Sequence, residues 1–148
     1  MMNFTILDLE PMTLAFANDR DESLATQRLE TFLAASGILP AHRYQNEMVM
    51  KKNGVRLALY IKYAVVPAGT PKTKDVNIND MPGGQALAFR VSQTEYVALQ
   101  DGDLKAPLDE YMKAHDLSWD LRRMIALAEP KTENGVVVYD VLFPVKRK

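Results

Sequence analysis

The chain has 148 residues, 47% of them hydrophobic, and its 18 basic and 19 acidic side chains give a formal net charge of -1. This length and composition suit one globular domain, and the interspersed charges argue against the basic stripe that direct nucleic-acid binding needs. The lack of cysteine excludes disulfides, thiol catalysis and thiolate metal sites. No signal peptide or membrane span is visible, which favours a cytoplasmic protein without a membrane partner.

The first half of the chain alternates strands with one helix. Strands are predicted at residues 4–9 and 12–17, with a turn at Pro11 between them. An amphipathic helix then ends at Gly37; its capping side chains are Asn18, Asp19 and Asp21, and its apolar stripe is Leu24, Leu29, Phe32 and Leu33. Two further strands, residues 44–50 and 55–66, are joined by Asn53-Gly54, a strong hairpin signal.

The same order of elements is predicted again after residues 68–77, a Pro-, Gly-, Thr- and Lys-rich connector. Strands at 76–78 and 85–91 flank the turn Pro82-Gly83-Gly84. A helix with Pro107 in its first turn follows; its apolar stripe is Leu104, Leu108, Tyr111, Met112 and His115. The segment EPKTENG, which ends in Asn134-Gly135, joins the last two strands, 121–128 and 136–145.

The halves 3–67 and 75–146 therefore repeat the order strand, strand, helix, strand, strand. MTLAFAN is similar to QALAFRV, which pairs Phe16 with Phe89, and LETFLAASGI is similar to LDEYMKAHDL. When the closing prolines of the halves are set equal, Tyr63 occupies the position of Asp140. A half of about 70 residues buries too little surface alone, so we expect one α+β domain over residues 1–148 with a shared sheet or core.

The last strand carries an acid in an apolar run, VVVYDVLFPV. Side chains alternate between the faces of a strand, so Tyr139 and Val141 are expected to lie in the core and Asp140 on the other face. Because an unpaired buried charge is costly, Asp140 needs either a solvated groove or a partner.

A family resemblance rests on the motifs MPGGQALAFRV and YDVLFPV and on the duplicated order of elements. The chain resembles the GyrI-like small-molecule-binding family over nearly its whole length. This family includes stand-alone gyrase-inhibitor proteins and effector-binding domains of multidrug-responsive regulators. The resemblance implies a fused antiparallel sheet with a helix from each half on one face and a ligand groove on the other. In relatives an acid on the closing strand lies among aromatic rings at the base of the groove, and Asp140 falls at that position, one methylene shorter than the usual Glu.

One departure from the family concerns the passage from strand to helix in each half. Many relatives have a Gly-Pro-aromatic turn there, whereas this chain has ANDRDES and VSQTEYV. We therefore expect the edge of the groove to be shaped differently.

An acid together with aromatic faces would suit a cationic ligand. The candidate ligand-binding residues are Asp140, Tyr63, Trp119, Phe16 and Phe89. Each has a structural alternative. The rings can be packing residues, and Asp140 can form a salt bridge with an arginine, the candidates being Arg90, Arg122 and Arg123. Neither histidine has a second ligand at metal spacing, so no metal and no cofactor is expected.

The sequence predicts a stand-alone protein that sequesters or senses an amphipathic, aromatic or cationic compound. Two alternatives stay open. Some stand-alone relatives hydrolyse electrophilic genotoxins, and Asp140 with the hydroxyl of Tyr139 or Tyr63 could act on water. The chain could also be a protein-interaction module that acts on a partner such as DNA gyrase. The interpretation without catalysis is favoured.

Overall fold

The computed structural model describes residues 3–123 and 126–148. These residues form antiparallel strands and three helices, which confirms the predicted α+β class. In chain order the elements are β1 (Thr5–Leu9), β2 (Met12–Asp19), α1 (Glu22–Ser36), β3 (Arg43–Lys52), β4 (Val55–Val66), β5 (Asn77–Met81), β6 (Gly84–Ser92), α2 (Gln93–Gln100), α3 (Lys105–Ala114), β7 (Leu117–Trp119), a 3-10 turn (Leu121–Arg123), β8 (Leu127–Glu133) and β9 (Val136–Arg147).

The chain forms two compact units. The central unit is Pro11–Met81, and the terminal unit combines the described residues before Pro11 with those of Pro82–Lys148. This division reflects the strand pairing, since β1 pairs with β6 in the terminal unit and β5 pairs with β2 in the central unit. The compact units thus have different bounds from the repeat halves 3–67 and 75–146, whose common origin stays a prediction.

The central unit is an antiparallel sheet in the order β5-β2-β4-β3 with α1 packed on one face. Asp21 caps α1 by accepting a hydrogen bond from the Ser23 amide, and Gly37 ends the helix in the left-handed conformation. The buried helix residues Leu29, Phe32 and Leu33 contact small side chains of the sheet, which include Ala15, Ala17 and Ala64. Small sheet residues leave room for the bulky helix residues.

The terminal unit is an antiparallel sheet in the order β1-β6-β9-β8, and β7 also pairs with β9. Its core contains residues of α2 and α3 packed on one face of β6 and β9. The members from the two strands are Leu87, Phe89, Val91, Tyr139, Val141 and Val145. This confirms that Tyr139 and Val141 face the core.

Both Asn-Gly hairpins are confirmed. Asn53 and Gly54 have φ of 51° and 76°, and Asn134 and Gly135 have φ of 52° and 78°. Two central residues with positive φ give the tight turn that follows the twist of the flanking strands. The strand residues that pair across the two turns are Lys52 with Val55 and Glu133 with Val136.

Two features of the second half differ from the sequence prediction. The predicted helix with Pro107 in its first turn is confirmed as α3, but a further helix, α2, was missed in the segment VSQTEYV. The signal was a capping box: the Ser92 side chain accepts a hydrogen bond from the Glu95 amide, and the Glu95 side chain accepts one from the Ser92 amide. The predicted strand 121–128 is also misplaced. Residues 121–123 form the 3-10 turn, and β8 runs through Pro130 to Glu133.

A buried ion pair joins three parts of the terminal unit. Arg123 and Asp120 are each 1% exposed, and their Nε and Oδ2 atoms are 2.8 Å apart. Arg123 Nη2 also donates hydrogen bonds to the carbonyls of Gln85 on β6 (2.6 Å) and Val145 on β9 (3.2 Å). The Asp120 amide donates to the carbonyl of Pro144. One guanidinium therefore fixes β6, β9 and the segment after β7 against each other.

This contact explains the second glycine of the Pro-Gly-Gly turn. Gly84 has φ of 150°, and a Cβ added there would lie 2.8 Å from Arg123 Nη2 and 2.9 Å from Arg123 Cζ. The guanidinium is held by its hydrogen bonds and has little freedom to move away.

We expect Gly84→Ala to lower the free energy of unfolding by roughly 1–3 kcal/mol, because the methyl group crowds the buried guanidinium. Urea denaturation measures the change. Gly102→Ala is the control, since Gly102 also has positive φ but a Cβ there meets nothing within 4 Å. Equal losses in the two variants would assign the effect to backbone conformation and contradict the crowding by Arg123.

The Asp120–Arg123 pair also predicts a dependence of stability on pH. Hydrogen bonds from the side chains of Arg122 and then Arg123 hold the pKa of Asp120 well below its usual range. The unfolded carboxyl has a pKa of about 3.9. The ionised form therefore contributes stability above about pH 4, and this contribution is lost as the pH falls towards the folded-state pKa.

Asp120→Asn is expected to cost about 3–5 kcal/mol at neutral pH, since it leaves a buried arginine without its counter-charge. The difference in the free energy of unfolding between wild type and variant should become smaller below about pH 4, because only the wild type has a carboxylate to protonate at position 120. Urea denaturation at several pH values measures both effects. A small difference that does not change with pH would show that the ion pair is not needed for stability.

Candidate functional site

Asp140 lies on the face of the terminal sheet opposite the helices, as its position in the last strand predicted. Its neighbours in the β9 sequence, Tyr139 and Val141, are core residues on the helix side. The strand register places Asp140 between Arg90 on β6 and Glu129 on β8. The side chains that surround the acid are therefore set by the pairing of three strands.

Asp140 is ion-paired, which was one of the two interpretations left open by the sequence. Its carboxylate forms a bidentate pair with Arg90, with Nε to Oδ1 at 2.7 Å and Nη2 to Oδ2 at 3.1 Å. Lys131 Nζ approaches Oδ2 at 3.1 Å, and Arg90 Nη1 also contacts Glu133 at 2.6 Å. The other two arginines considered for Asp140, Arg122 and Arg123, bind Asp120 instead.

This cluster is open to solvent. The exposed fractions of the side chains are 32% for Asp140, 49% for Arg90 and 46% for Lys131. The hydrogen bond from Arg90 is the largest cause that lowers the pKa of Asp140, and Lys131 acts in the same direction. Asp140 is therefore a carboxylate at neutral pH, and water screens its ion pairs.

A shallow cavity of about 390 Å³ opens beside Asp140. Its lining combines the charged pair of Asp140 and Arg90 with the polar Thr5 and with apolar residues, among them Leu7 and Leu142. The volume lies within the range of small-molecule pockets, about 300–1,000 Å³. The apolar residues beside the fixed Asp140–Arg90 pair can hold the body of an amphipathic molecule, while the carboxylate orients its polar group.

The other predicted site residues of the terminal unit lie on the opposite side of its sheet. Phe89 is 5% exposed within the core, with its ring 5.2 Å from Phe4 and 5.8 Å from Phe143. Trp119 lies on β7, half-buried, with its ring 5.2 Å from that of Phe143. Phe89 is nevertheless among the residues that line the Asp140 cavity, whereas Trp119 is not among them. The rings of both pack with the core cluster on the helix side.

Tyr63 and Phe16 belong to the central unit and contact each other, with ring centroids 5.7 Å apart. The neighbours of Phe16 on β2, Ala15 and Ala17, pack against α1, so Phe16 and Tyr63 lie on the face away from this helix. Burial raises the pKa of Tyr63 to about 12.

The strand pairs correct one detail of the repeat. Tyr63 and Asp140 both lie on the helix-free face of their own sheets, as the alignment of Pro67 with Pro144 predicted. Phe89, however, faces the helices and Phe16 does not. The residue paired with Asp140 is Arg90, so Arg90 is the equivalent of Phe16. The similarity of MTLAFAN to QALAFRV is therefore out of register by one residue.

Sequence reasoning missed Lys131, Glu133 and the contribution of β1 to the cavity. The two charged residues lie in EPKTENG, which was interpreted as a turn but forms the end of β8. Lys131 and Glu133 lie two residues apart on β8, where they pair with Val138 and Val136 of β9. The local pattern in this segment was the Asn-Gly pair at its end, and that pattern indicates a turn and not a strand.

Within residues 3–123 and 126–148, no three acidic or histidine side chains are grouped as a metal ion would require. In the same residues no helix is long and apolar enough to cross a membrane.

The chain matches no known family model and no curated protein. Its fold is similar to that of the EcmrR C-terminal domain, with a TM-score of 0.66 and 8% identity over 100% of this chain and 99% of that domain. In a cryo-EM structure of an EcmrR–DNA complex, the similarity covers 99% of this chain and 58% of the EcmrR chain, at TM-score 0.64 and 9% identity. The chain thus spans little more than half of that EcmrR chain.

A structure described as a hydrolase from Listeria innocua is also similar, with a TM-score of 0.65 and 10% identity over 97% of this chain and 91% of that one. At such identities the likeness shows the fold. The fold agrees with the GyrI-like α+β architecture that the sequence motifs predicted.

The exposed position of Asp140 predicts that Asp140→Asn changes the free energy of unfolding by at most about 1 kcal/mol, because exposed ion pairs are screened by water. Urea denaturation beside Asp120→Asn, the buried acid of the same unit, measures the contrast. A loss as large as that of Asp120→Asn would mean that Asp140 is a structural residue.

Proposed function

We propose that this chain binds an amphipathic small molecule with an aromatic or cationic portion, and that it sequesters or senses this compound. The observation that carries the proposal is a partly exposed, ionised carboxylate, Asp140, set in a cavity that combines apolar and polar residues on the helix-free face of the terminal sheet. The fold, which is similar to that of the EcmrR C-terminal domain, agrees with the GyrI-like resemblance of the sequence, and that resemblance implies small-molecule binding.

The charges around Asp140 suit reversible binding. Lys131 is nearly half exposed and is also 3.8 Å from Glu129, so it keeps an acidic neighbour when a ligand cation displaces it from Asp140. The apolar residues of the cavity supply the burial that drives association, while the carboxylate selects for positive charge and orients it.

Hydrolysis is the second candidate, because a similar Listeria innocua protein is described as a hydrolase. The side chains considered for this chemistry are poorly placed for it. Tyr139 stacks on Tyr96 at 4.0 Å on the helix side of the sheet, away from Asp140, and burial disfavours ionisation of Tyr63. A general base for water works best with a pKa near neutral, whereas the pKa of Asp140 is lowered. These observations favour binding over hydrolysis.

A protein-interaction module stays the third interpretation. The salt bridges of Asp140 are what such a module would show, but the cavity beside it is open. The two interpretations differ in whether small molecules stabilise the fold.

The test is a thermal-shift screen with size-matched pairs of cationic and neutral aromatic compounds. A ligand that binds only the folded state at 100 times its Kd adds about 2.7 kcal/mol of stability, which raises the Tm. We expect larger shifts with the cations, and we expect Asp140→Asn to reduce these shifts while it leaves those of the neutral compounds unchanged.

Asp116→Asn is the matched control, since Asp116 is an exposed acid elsewhere in the terminal unit with φ of 54°, a conformation that Asn tolerates well. It should leave all shifts unchanged. No shift with any compound would refute the binding proposal and favour the interaction module. If Asp140→Asn reduced the Tm shifts of cations and neutral compounds equally, the charge of Asp140 would have no part in binding.

A further inference from the structure

A second cavity of about 740 Å³ lies on the helix side of the terminal unit. Its walls come from the N-terminal segment and from the two helices of this unit, and the residues used below are Phe4, Glu95, Leu104, Pro107, Glu110 and Tyr111. It meets the Asp140 cavity only at Asn3, which lines both. The chemistry of its lining differs from that of the first cavity.

One wall is aromatic and is held in place by further ring contacts. The centroids of Phe4 and Tyr111 are 4.7 Å apart with the rings inclined at 46°. Phe4 also meets Phe89 edge to face at 5.2 Å, and Tyr111 stacks on His115 at 4.0 Å. Both rings are only partly buried, so they offer a fixed aromatic surface to a molecule in the cavity.

The charged residues of the lining are both acidic, Glu95 and Glu110. Glu95 is fixed by the capping box of α2, through the hydrogen bond from the Ser92 amide at 2.8 Å. The lysine at the start of α3, Lys105, is paired with Asp109 on the same helix. No basic side chain lines the cavity in the described part of the chain, so its electrostatic preference is for a cation.

We propose that this cavity is a second binding site, separate from Asp140, for a small aromatic monocation. The ring system of the ligand packs on Phe4 and Tyr111 and on the apolar Leu104 and Pro107, and its ammonium group faces Glu110 and Glu95. Cation–π attraction and apolar burial are the terms that aromatic walls supply, and the volume suits a ligand of this size. The proposal does not depend on binding at Asp140.

The probe is 1-naphthylmethylamine, which is protonated at neutral pH, with the neutral 1-naphthalenemethanol as its size-matched partner. Backbone amide NMR signals report where each compound binds, because Tyr111 and Ala114 line this cavity and Asp140 and Leu142 line the other. We expect the amine to shift the signals of Tyr111 and Ala114 with a lower Kd than the alcohol. An affinity tag belongs at the C-terminus, since Phe4 lines the cavity.

Glu110→Gln should raise the Kd of the amine at this cavity roughly threefold, the size expected for one screened charge, and leave that of the alcohol unchanged. Glu110 is exposed on α3, so the fold should tolerate the change. Asp116→Asn is again the control and should change neither Kd. Tyr111→Leu should weaken both compounds, because it removes the aromatic wall.

Signals of Tyr111 and Ala114 that do not move at millimolar amine would overturn the proposal. So would an equal Kd for amine and alcohol, or an unchanged Kd of the amine in Glu110→Gln. Shifts confined to Asp140 and Leu142 would support the first site and refute the second. Shifts confined to Tyr111 and Ala114 would do the reverse.

Discussion

The terminal unit depends on one buried ion pair, Arg123 with Asp120. The guanidinium donates to backbone carbonyls of β6 and β9, so it holds the register of these two strands. The same register places Arg90 opposite Asp140. The structural pair and the candidate ligand site therefore lie along the same β6–β9 ladder. A Cβ at Gly84 would come within 2.8 Å of the guanidinium, so glycine suits this position.

The clusters around Asp120 and Asp140 differ in burial, and they therefore suit different roles. Asp120 is 1% exposed and its loss leaves an uncompensated buried charge. Asp140 is 32% exposed and its partners can exchange with water or with a ligand cation. A binding surface needs partners that can leave, which is why Asp140, and not Asp120, is the candidate for contact with a ligand.

Much of this arrangement could be predicted from local pattern. The alternation in β9 placed Asp140 on the face away from the core, and the Asn-Gly pairs marked both hairpins. Strand partners are not encoded locally, so the pairing of β1 with β6 and of β5 with β2 was beyond the sequence. A slip of one residue moves a side chain to the other face, and the alignment of Phe16 with Phe89 contained such a slip. Lys131 was missed because Pro130 and Asn134 made a strand look like a turn.

We propose that Asp140 is an ionised binding group and not a catalytic base. The most direct test is an NMR titration of the Asp140 side-chain carboxyl carbon in the folded protein. We expect a pKa below the usual value of about 3.9, with a shift towards that value in Arg90→Gln, where the main partner is lost. A carboxyl that titrates near neutral pH would contradict the role of Asp140 as an ionised binding group and favour hydrolysis.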